Sequence, residues 1–369
     1  IYFILSIFEG YLNNIFGSYT KYYILFLCFF ILFKQNFKIK IKKFHIMFLS
    51  WFVLKVISLL WSKSFITPKM HMISQIGMIV FLILFTGYPF KEKSILKYIN
   101  IYFISSGIMG GLTIMFGRAY LGITVRQVLT IFGYEIDPNN LAALLIVGIC
   151  ISINNILIEH KNKLISIIIL VVNTLGCLLS ASRGGLVTIA IIFLLAIFLD
   201  QKRAGRFLKI KKIIIFMFII FVFYKLVTDY LPDNIVERLF NLESYEGGSG
   251  RTDIWKNVWN VFTDSPLSIL FGVGWGTATI MTGTDVSVHN TFLTTLCDVG
   301  AIGTCIYIFP IIHAILYLIK RKVYFPVLFL IAQFIPAFFI DAINKRFFWN
   351  AIYILFIFYL LINKKERRI

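Results

Sequence analysis

The chain has 369 residues, of which 59% are hydrophobic and only 14% charged, with a mean hydropathy of +0.86. Soluble domains carry roughly 25% charged residues, so this composition excludes a protein surrounded by water. The net charge of +19 does not point to nucleic acid. Lys and Arg collect in short loops between apolar runs, as in the cytoplasmic loops of membrane proteins.

A run of about 20 apolar residues crosses a bilayer. The chain therefore reads as an all-α polytopic membrane protein with about twelve transmembrane helices, forming one integral membrane domain over 1–369. Residues 1–10 read as the tail of a first, truncated span. The following spans are expected at Phe16–Phe33, Phe44–Trp61, Met70–Thr86, Ile99–Phe116, Asn139–Leu157 and Leu164–Leu179. Later ones are expected at Leu186–Leu199, Ile213–Thr228, Thr291–Ile308, Val323–Ile340 and Phe347–Ile362. Six alternate loops, from Lys34–Lys43 to Lys364–Arg368, hold 23 of the 36 basic residues, and the opposite loops hold 11. This asymmetry puts the C-terminus in the cytoplasm. Cys28, Cys150, Cys177, Cys297 and Cys305 lie in apolar runs without ligand spacing and read as small buried hydrophobes.

Two outward regions are large: Gly117–Pro138, and an extracytoplasmic loop over 229–290. The loop passes from an acidic stretch through the Gly247–Gly250 hinge to Arg251–Phe262. There the apolar positions fit one face of a short interfacial helix carrying Trp255 and Trp259. Pro266 ends it.

Four places carry polar chemistry. Ser180-Ala181-Ser182-Arg183-Gly184-Gly185 stands at the outer junction of two spans. Its arginine either binds an anion through a bidentate guanidinium or snorkels to the interface and holds a turn. Arg251 faces the same compartment, as a second anion ligand or as a solvated partner of Glu243, Glu246 or Asp253. His289-Asn290 lies where the loop re-enters the membrane. Its imidazole reads as a general base or as a polar cap on the next helix. Asp137-Pro138-Asn139-Asn140 opens a span with Asp137 as N-cap, and Asn139 and Asn140 are of a kind to bind sugar hydroxyls. Gly272-Val273-Gly274-Trp275-Gly276 is a weak motif, with no following helix expected to complete a phosphate loop. Lys55, about 18 Å along its helix from Lys43 at 1.5 Å per residue, needs a partner inside the membrane. Asp298 and Asp341 are the available acids.

The ordered set Ser180–Gly185, Gly250–Trp255, Gly272–Gly276, His289-Asn290 and Asp298–Gly303, with Asp137–Asn139 before it, resembles the bacterial O-antigen polymerase and ligase superfamily. Asp298 stands where that family usually has glutamate. The resemblance implies a metal-independent glycosyltransferase without a cofactor, in the bacterial cytoplasmic membrane. Its substrates would be an undecaprenyl-diphosphate-linked glycan donor and a lipid-linked acceptor. Within it, His289, Arg183 and Arg251 are the expected catalytic residues. Asn290, Asp137, Asn139, Asn140, Trp255, Gly274 and Gly276 are the expected substrate contacts. No metal site and no nucleic acid partner are expected; the bilayer, and a chain-length regulator or another polysaccharide-assembly protein, are. A repeat-unit polymerase is the leading expectation, followed by a ligase to lipid A core or protein. A flippase or secondary transporter is the reading from a different class.

Overall fold

The computed structural model describes residues 1–17, 19–121, 123–199, isolated positions between 210 and 239, 251–281 and 287–366. Among the described residues six helices are long and apolar enough to cross a membrane: Lys43–Leu60, Pro68–Gly87, Glu92–Phe116, Pro138–Glu159, Thr291–Lys320 and Arg346–Glu366. Lys163–Leu179, Arg183–Leu199 and Phe325–Ala337 are apolar but shorter. The described residues are mostly helical, consistent with the expected all-α membrane protein, while six helices of spanning length do not confirm the count of about twelve spans. Most of the expected span Ile213–Thr228, the glycine hinge and most of the acidic stretch lie outside the described residues.

The chain divides into two compact units. The first contains residues 1–17, 93–245 and 328–336. Its helices are α1 (Tyr2–Ile7), α2 (Glu9–Phe16), most of α6 (Glu92–Phe116), α7 (Pro138–Ile153), α8 (Lys163–Leu179) and α9 (Arg183–Leu199). Helix α7 is buried on every side from Leu141 to Ile153, as expected of a helix that is apolar all round. Asp137 caps it, accepting from the Asn139 and Asn140 amides at 2.9 and 3.0 Å, with Pro138 in the first turn.

Lipid gives helices no hydrophobic reason to associate, so polar contacts become important. Here the Asn173 side-chain amide donates to Ser106 Oγ and to Leu145 O, both at 3.0 Å, and Ser106 Oγ accepts from the Gly148 amide. This seam joins α6, α7 and α8. Gln333 Nε2 adds a bond to Ala143 O at 3.2 Å.

A departure from the all-helical expectation follows α6. Residues Gly117–Tyr120 (β1), Ile123–Ile131 (β2) and Tyr134–Glu135 (β3) form an antiparallel three-stranded sheet in the order β1-β2-β3. Phe132 and Gly133 both have positive φ, matching a two-residue hairpin turn. Tyr11 Oη donates to Leu129 O at 2.7 Å and pins β2 onto α2.

The second unit contains residues 18–92, 246–327 and 337–369. Its long helices are α3 (Tyr19–Lys34), α4 (Lys43–Ile57) and α5 (Ile66–Gly87). The loop supplies α10 (Arg251–Phe262), α11 (Pro266–Phe271) and α12 (Thr277–Met281). Then come α13 (Thr291–Lys320), α14 (Phe325–Ala337, mostly part of the first unit) and α15 (Arg346–Glu366). Helix α13 is broken at Gly300, whose φ of 68° and ψ of −172° are not helical. Cys305, on the same helix, is exposed, unlike the four other cysteines. Its expected burial is corrected, since an apolar thiol is equally at home against lipid.

Candidate functional site

In the first unit the site is a turn held by polar side chains. Ser182 precedes α9 and caps it, its Oγ accepting from the Gly185 amide at 3.4 Å. The same hydroxyl donates to Asn139 Oδ1 at 3.1 Å. Ala181 adopts φ 48°, which reverses the chain between α8 and α9. Arg183 is the first residue of α9 and is half-buried.

Arg126, on β2, was not among the sequence candidates. Its Nη2 donates to Asn139 Oδ1 at 3.0 Å and its Nε to Ser180 O at 3.2 Å. One guanidinium thus ties the sheet, the start of α7 and the Ser180–Arg183 turn together. The overlooked signal is a β-branched run, Ile123–Ile131, with an arginine inside it. Among the expected substrate contacts, Asp137 and Asn139 are engaged in this scaffold, whereas Asn140 Oδ1 is buried without a hydrogen-bond partner.

In the second unit, Arg251 is the half-buried first residue of α10. Val258 and Phe262 on α10 pack with Ala278, Val288 and Cys297, with Ile254 and Trp255 against them. The helix thus buries its apolar stripe in protein, and Trp259 remains exposed. Helix α10 ends at Phe262, just before the expected Asp264-Ser265-Pro266 stop, and Pro266 begins α11, which Ser265 caps through the Ser268 amide at 3.1 Å.

Trp255 Nε1 donates to Val288 O at 2.9 Å, tying the helix that begins at Arg251 to the residue before His289. His289 is half-buried with φ 51°. The cap on α13 is Asn290, whose Oδ1 accepts from the Phe292 and Leu293 amides at 3.1 and 3.0 Å. Capping is therefore not the role of His289. Next in the chain, Thr291 Oγ1 donates to Ile340 O and accepts from the Ala342 amide, bracketing Asp341, whose buried Oδ1 has no hydrogen-bond partner.

Gly272–Gly276 forms a latch beneath this region. Lys55 Nζ meets Asp298 Oδ2 at 3.0 Å, both side chains being at most 2% exposed. Of the two candidate acids, Asp298 is the partner. Its other oxygen accepts from the Gly276 amide at 2.9 Å. The Lys55 ammonium lies 4.7 Å from the Trp275 ring centroid and 5.3 Å from that of Trp51. The Val273 amide donates to Cys297 O at 2.7 Å, taking up a carbonyl that the break in α13 releases. Glycine is required at both surfaces. A Cβ on Gly274, at φ 95°, would lie 2.7 Å from Ser62 Cα, and one on Gly300 would strike Leu270 O. A short helix, α12, does follow the glycines, contrary to the sequence expectation, but the Gly276 amide is already engaged by Asp298.

Among the described residues no three His, Cys, Asp or Glu side chains gather as a metal site requires. The two units place the candidates in two sets: Arg183, Asp137, Asn139 and Asn140 in one, and Arg251, Trp255, Gly274, Gly276, His289 and Asn290 in the other.

Residues 167–308 match the family model described as O-antigen ligase. This match supports the resemblance to the O-antigen polymerase and ligase superfamily. The matched segment begins inside α8, runs through Arg183, Arg251, the glycine latch and His289, and ends past the break in α13. Together with the long apolar helices, the match points to a membrane protein and supports an enzyme in general. Comparison with curated proteins and with solved structures finds no match.

Proposed function

We propose that this protein is a repeat-unit polymerase of a surface polysaccharide. It would transfer a glycan from undecaprenyl diphosphate onto the terminal sugar of a second lipid-linked unit, at the outer face of the bacterial cytoplasmic membrane, with its C-terminus inside. One observation carries the reading. Within the matched segment, Arg183 and Arg251 each begin a helix, and His289 stands one residue before the cap of a third. Helix N-termini present unpaired amides and a positive dipole end, which favour an anionic diphosphate.

In the reaction the acceptor hydroxyl oxygen bonds to the anomeric carbon as the bond from that carbon to the diphosphate oxygen breaks. The diphosphate leaves with the electron pair, and the hydroxyl proton passes to the His289 imidazole. Arg183 and Arg251 stabilise the charge developing on the leaving group. An in-line displacement inverts the anomeric configuration.

The matched family's description, O-antigen ligase, supports a second reading, a ligase, for which lipid A core would be the acceptor. A transporter would use a broken helix with a buried charge as its binding site. Here the break is filled by the amides of Val273 and Gly276, which supports an enzyme instead.

Purified protein supplied with lipid-linked repeats alone, or with lipid A core as acceptor, separates the two transfers. Polymer is expected from the repeats alone, and it is expected to persist in a metal chelator. His289→Ala and His289→Gln are expected to bind donor yet lose 10²–10⁴-fold in rate, as removal of a general base does. Transfer by His289→Ala above about a tenth of the native rate removes the base assignment. Core-dependent product alone would replace polymerase with ligase.

A further inference from the structure

At the end of the second unit remote from His289 lies a cavity of about 580 Å³, within the roughly 300–1,000 Å³ of small-molecule sites. Helix α13 runs towards it: His313, on the cavity wall, is 13 residues beyond the break at Gly300, about 20 Å at 1.5 Å per residue. The wall is largely apolar and aromatic. Phe44 stacks on Phe356 with centroids 4.1 Å apart, and the His313 ring lies 5.7 Å from Tyr359. The rim is different: Lys40, Lys42, Lys43 and Lys364 all border the opening and all are exposed.

The counter-ions of this end are used elsewhere. Glu92 pairs with Lys365 at 2.6 Å, and Glu366 takes Arg321 through two bonds. Among the described residues no carboxylate pairs with any of the four rim lysines. A greasy cavity beneath a ring of uncompensated ammonium groups matches one chemistry, an anionic headgroup attached to hydrocarbon.

We propose that this cavity binds an anionic glycerophospholipid of the leaflet it faces, the cytoplasmic one in the orientation proposed above. The phosphate sits among the rim lysines and the acyl chain lies against Met47, Phe309 and Phe356. Basic pockets between helices on the cytoplasmic side take anionic headgroups in this way. The site uses none of the residues assigned to glycan transfer.

The test is native mass spectrometry of the full chain titrated with phosphatidylglycerol or phosphatidylcholine, with inorganic phosphate as competitor. Native protein is expected to retain phosphatidylglycerol and not phosphatidylcholine. The double variant Lys42→Gln/Lys43→Gln is expected to weaken retention about tenfold or more, while Lys38→Gln, off the cavity, leaves it unchanged. Met47→Trp fills the cavity without touching charge and is expected to lower retention as well. Equal retention of both lipids, or retention indifferent to the lysines and to Met47, overturns the proposal. Displacement by inorganic phosphate at concentrations matching the lipid overturns it in favour of a phosphate site. Because the readout is lipid retention, failure of the glycan-transfer reading leaves the result interpretable.

Discussion

Replacing Lys55 by methionine removes one charge from a pair that is almost wholly shielded from solvent. Asp298 would then keep a single donor, the Gly276 amide. Removing one partner of a buried pair costs about 3–5 kcal/mol, because the other charge is left uncompensated. In Lys55→Met/Asp298→Asn the orphaned charge is gone, and asparagine still offers an oxygen to the Gly276 amide. What remains lost is the attraction of the ammonium to Trp51 and Trp275, about 0.5–2 kcal/mol. The double variant is therefore expected to be about 2–3 kcal/mol more stable than Lys55→Met alone. Unfolding of purified protein in detergent, followed by tryptophan fluorescence, reads all corners of the cycle, since Trp51 and Trp275 report from the pair itself. A double variant no more stable than Lys55→Met, or a Lys55→Met cost below about 1 kcal/mol, would falsify the latch.

Gly300→Ala is expected to cost more than about 2 kcal/mol, combining a left-handed residue with a collision against Leu270 O; a thermal midpoint unchanged from native refutes the requirement. Arg126→Ala removes the charged hydrogen bonds to Ser180 O and to Asn139 Oδ1 and is expected to lose about 1.5–3 kcal/mol, with Arg126→Lys recovering little because a point charge lacks the fork. Full recovery by lysine would show that charge alone matters there. Orientation is checked by single cysteines in a background without native ones: Thr263→Cys should react with an impermeant reagent added outside, and Lys161→Cys only after permeabilisation. The reverse pattern would turn the proposed topology over.

The helices were legible because lipid imposes a coarse rule: long apolar runs must be helical, as backbone groups find no water. Lys43–Leu60 and Pro138–Glu159 fall within a residue or two of the spans read from hydropathy. That same rule does not register backbone dihedrals, so the break at Gly300 is invisible in an apolar run that continues on both sides of it. Outside the membrane the rule is silent. The sheet at Gly117–Glu135 therefore had to be seen from β-branched alternation alone, and Arg126 went unnoticed with it. Lys55 could be flagged by depth, but the choice of Asp298 over Asp341 depends on how α4 and α13 pack. Capping chemistry was legible at Asp137, where proline follows. At His289-Asn290 two polar neighbours competed for one cap, and only the backbone shows that asparagine holds it.

The motif residues divide into those that hold the fold and those that remain for chemistry, and they do so as neighbours. Ser182 caps α9, and Arg183 is the next residue. Asn290 caps α13, and His289 is the residue before it. Trp255 fixes α10 to Val288, and Arg251 begins that helix one turn earlier. Each candidate is thereby carried on backbone made rigid by an adjacent structural side chain, which is what positioning at a reacting centre requires. The arrangement also accounts for motifs of two to six consecutive residues where a single arginine or histidine would suffice for the chemistry. A change at Ser182, Asn290 or Trp255 would leave every proposed reacting group present and still displace it. Such substitutions should therefore lower transfer without removing any group from the reaction, and a conservative replacement that keeps the hydrogen bond, Ser182→Thr or Asn290→Asp, should restore what Ser182→Ala or Asn290→Ala loses.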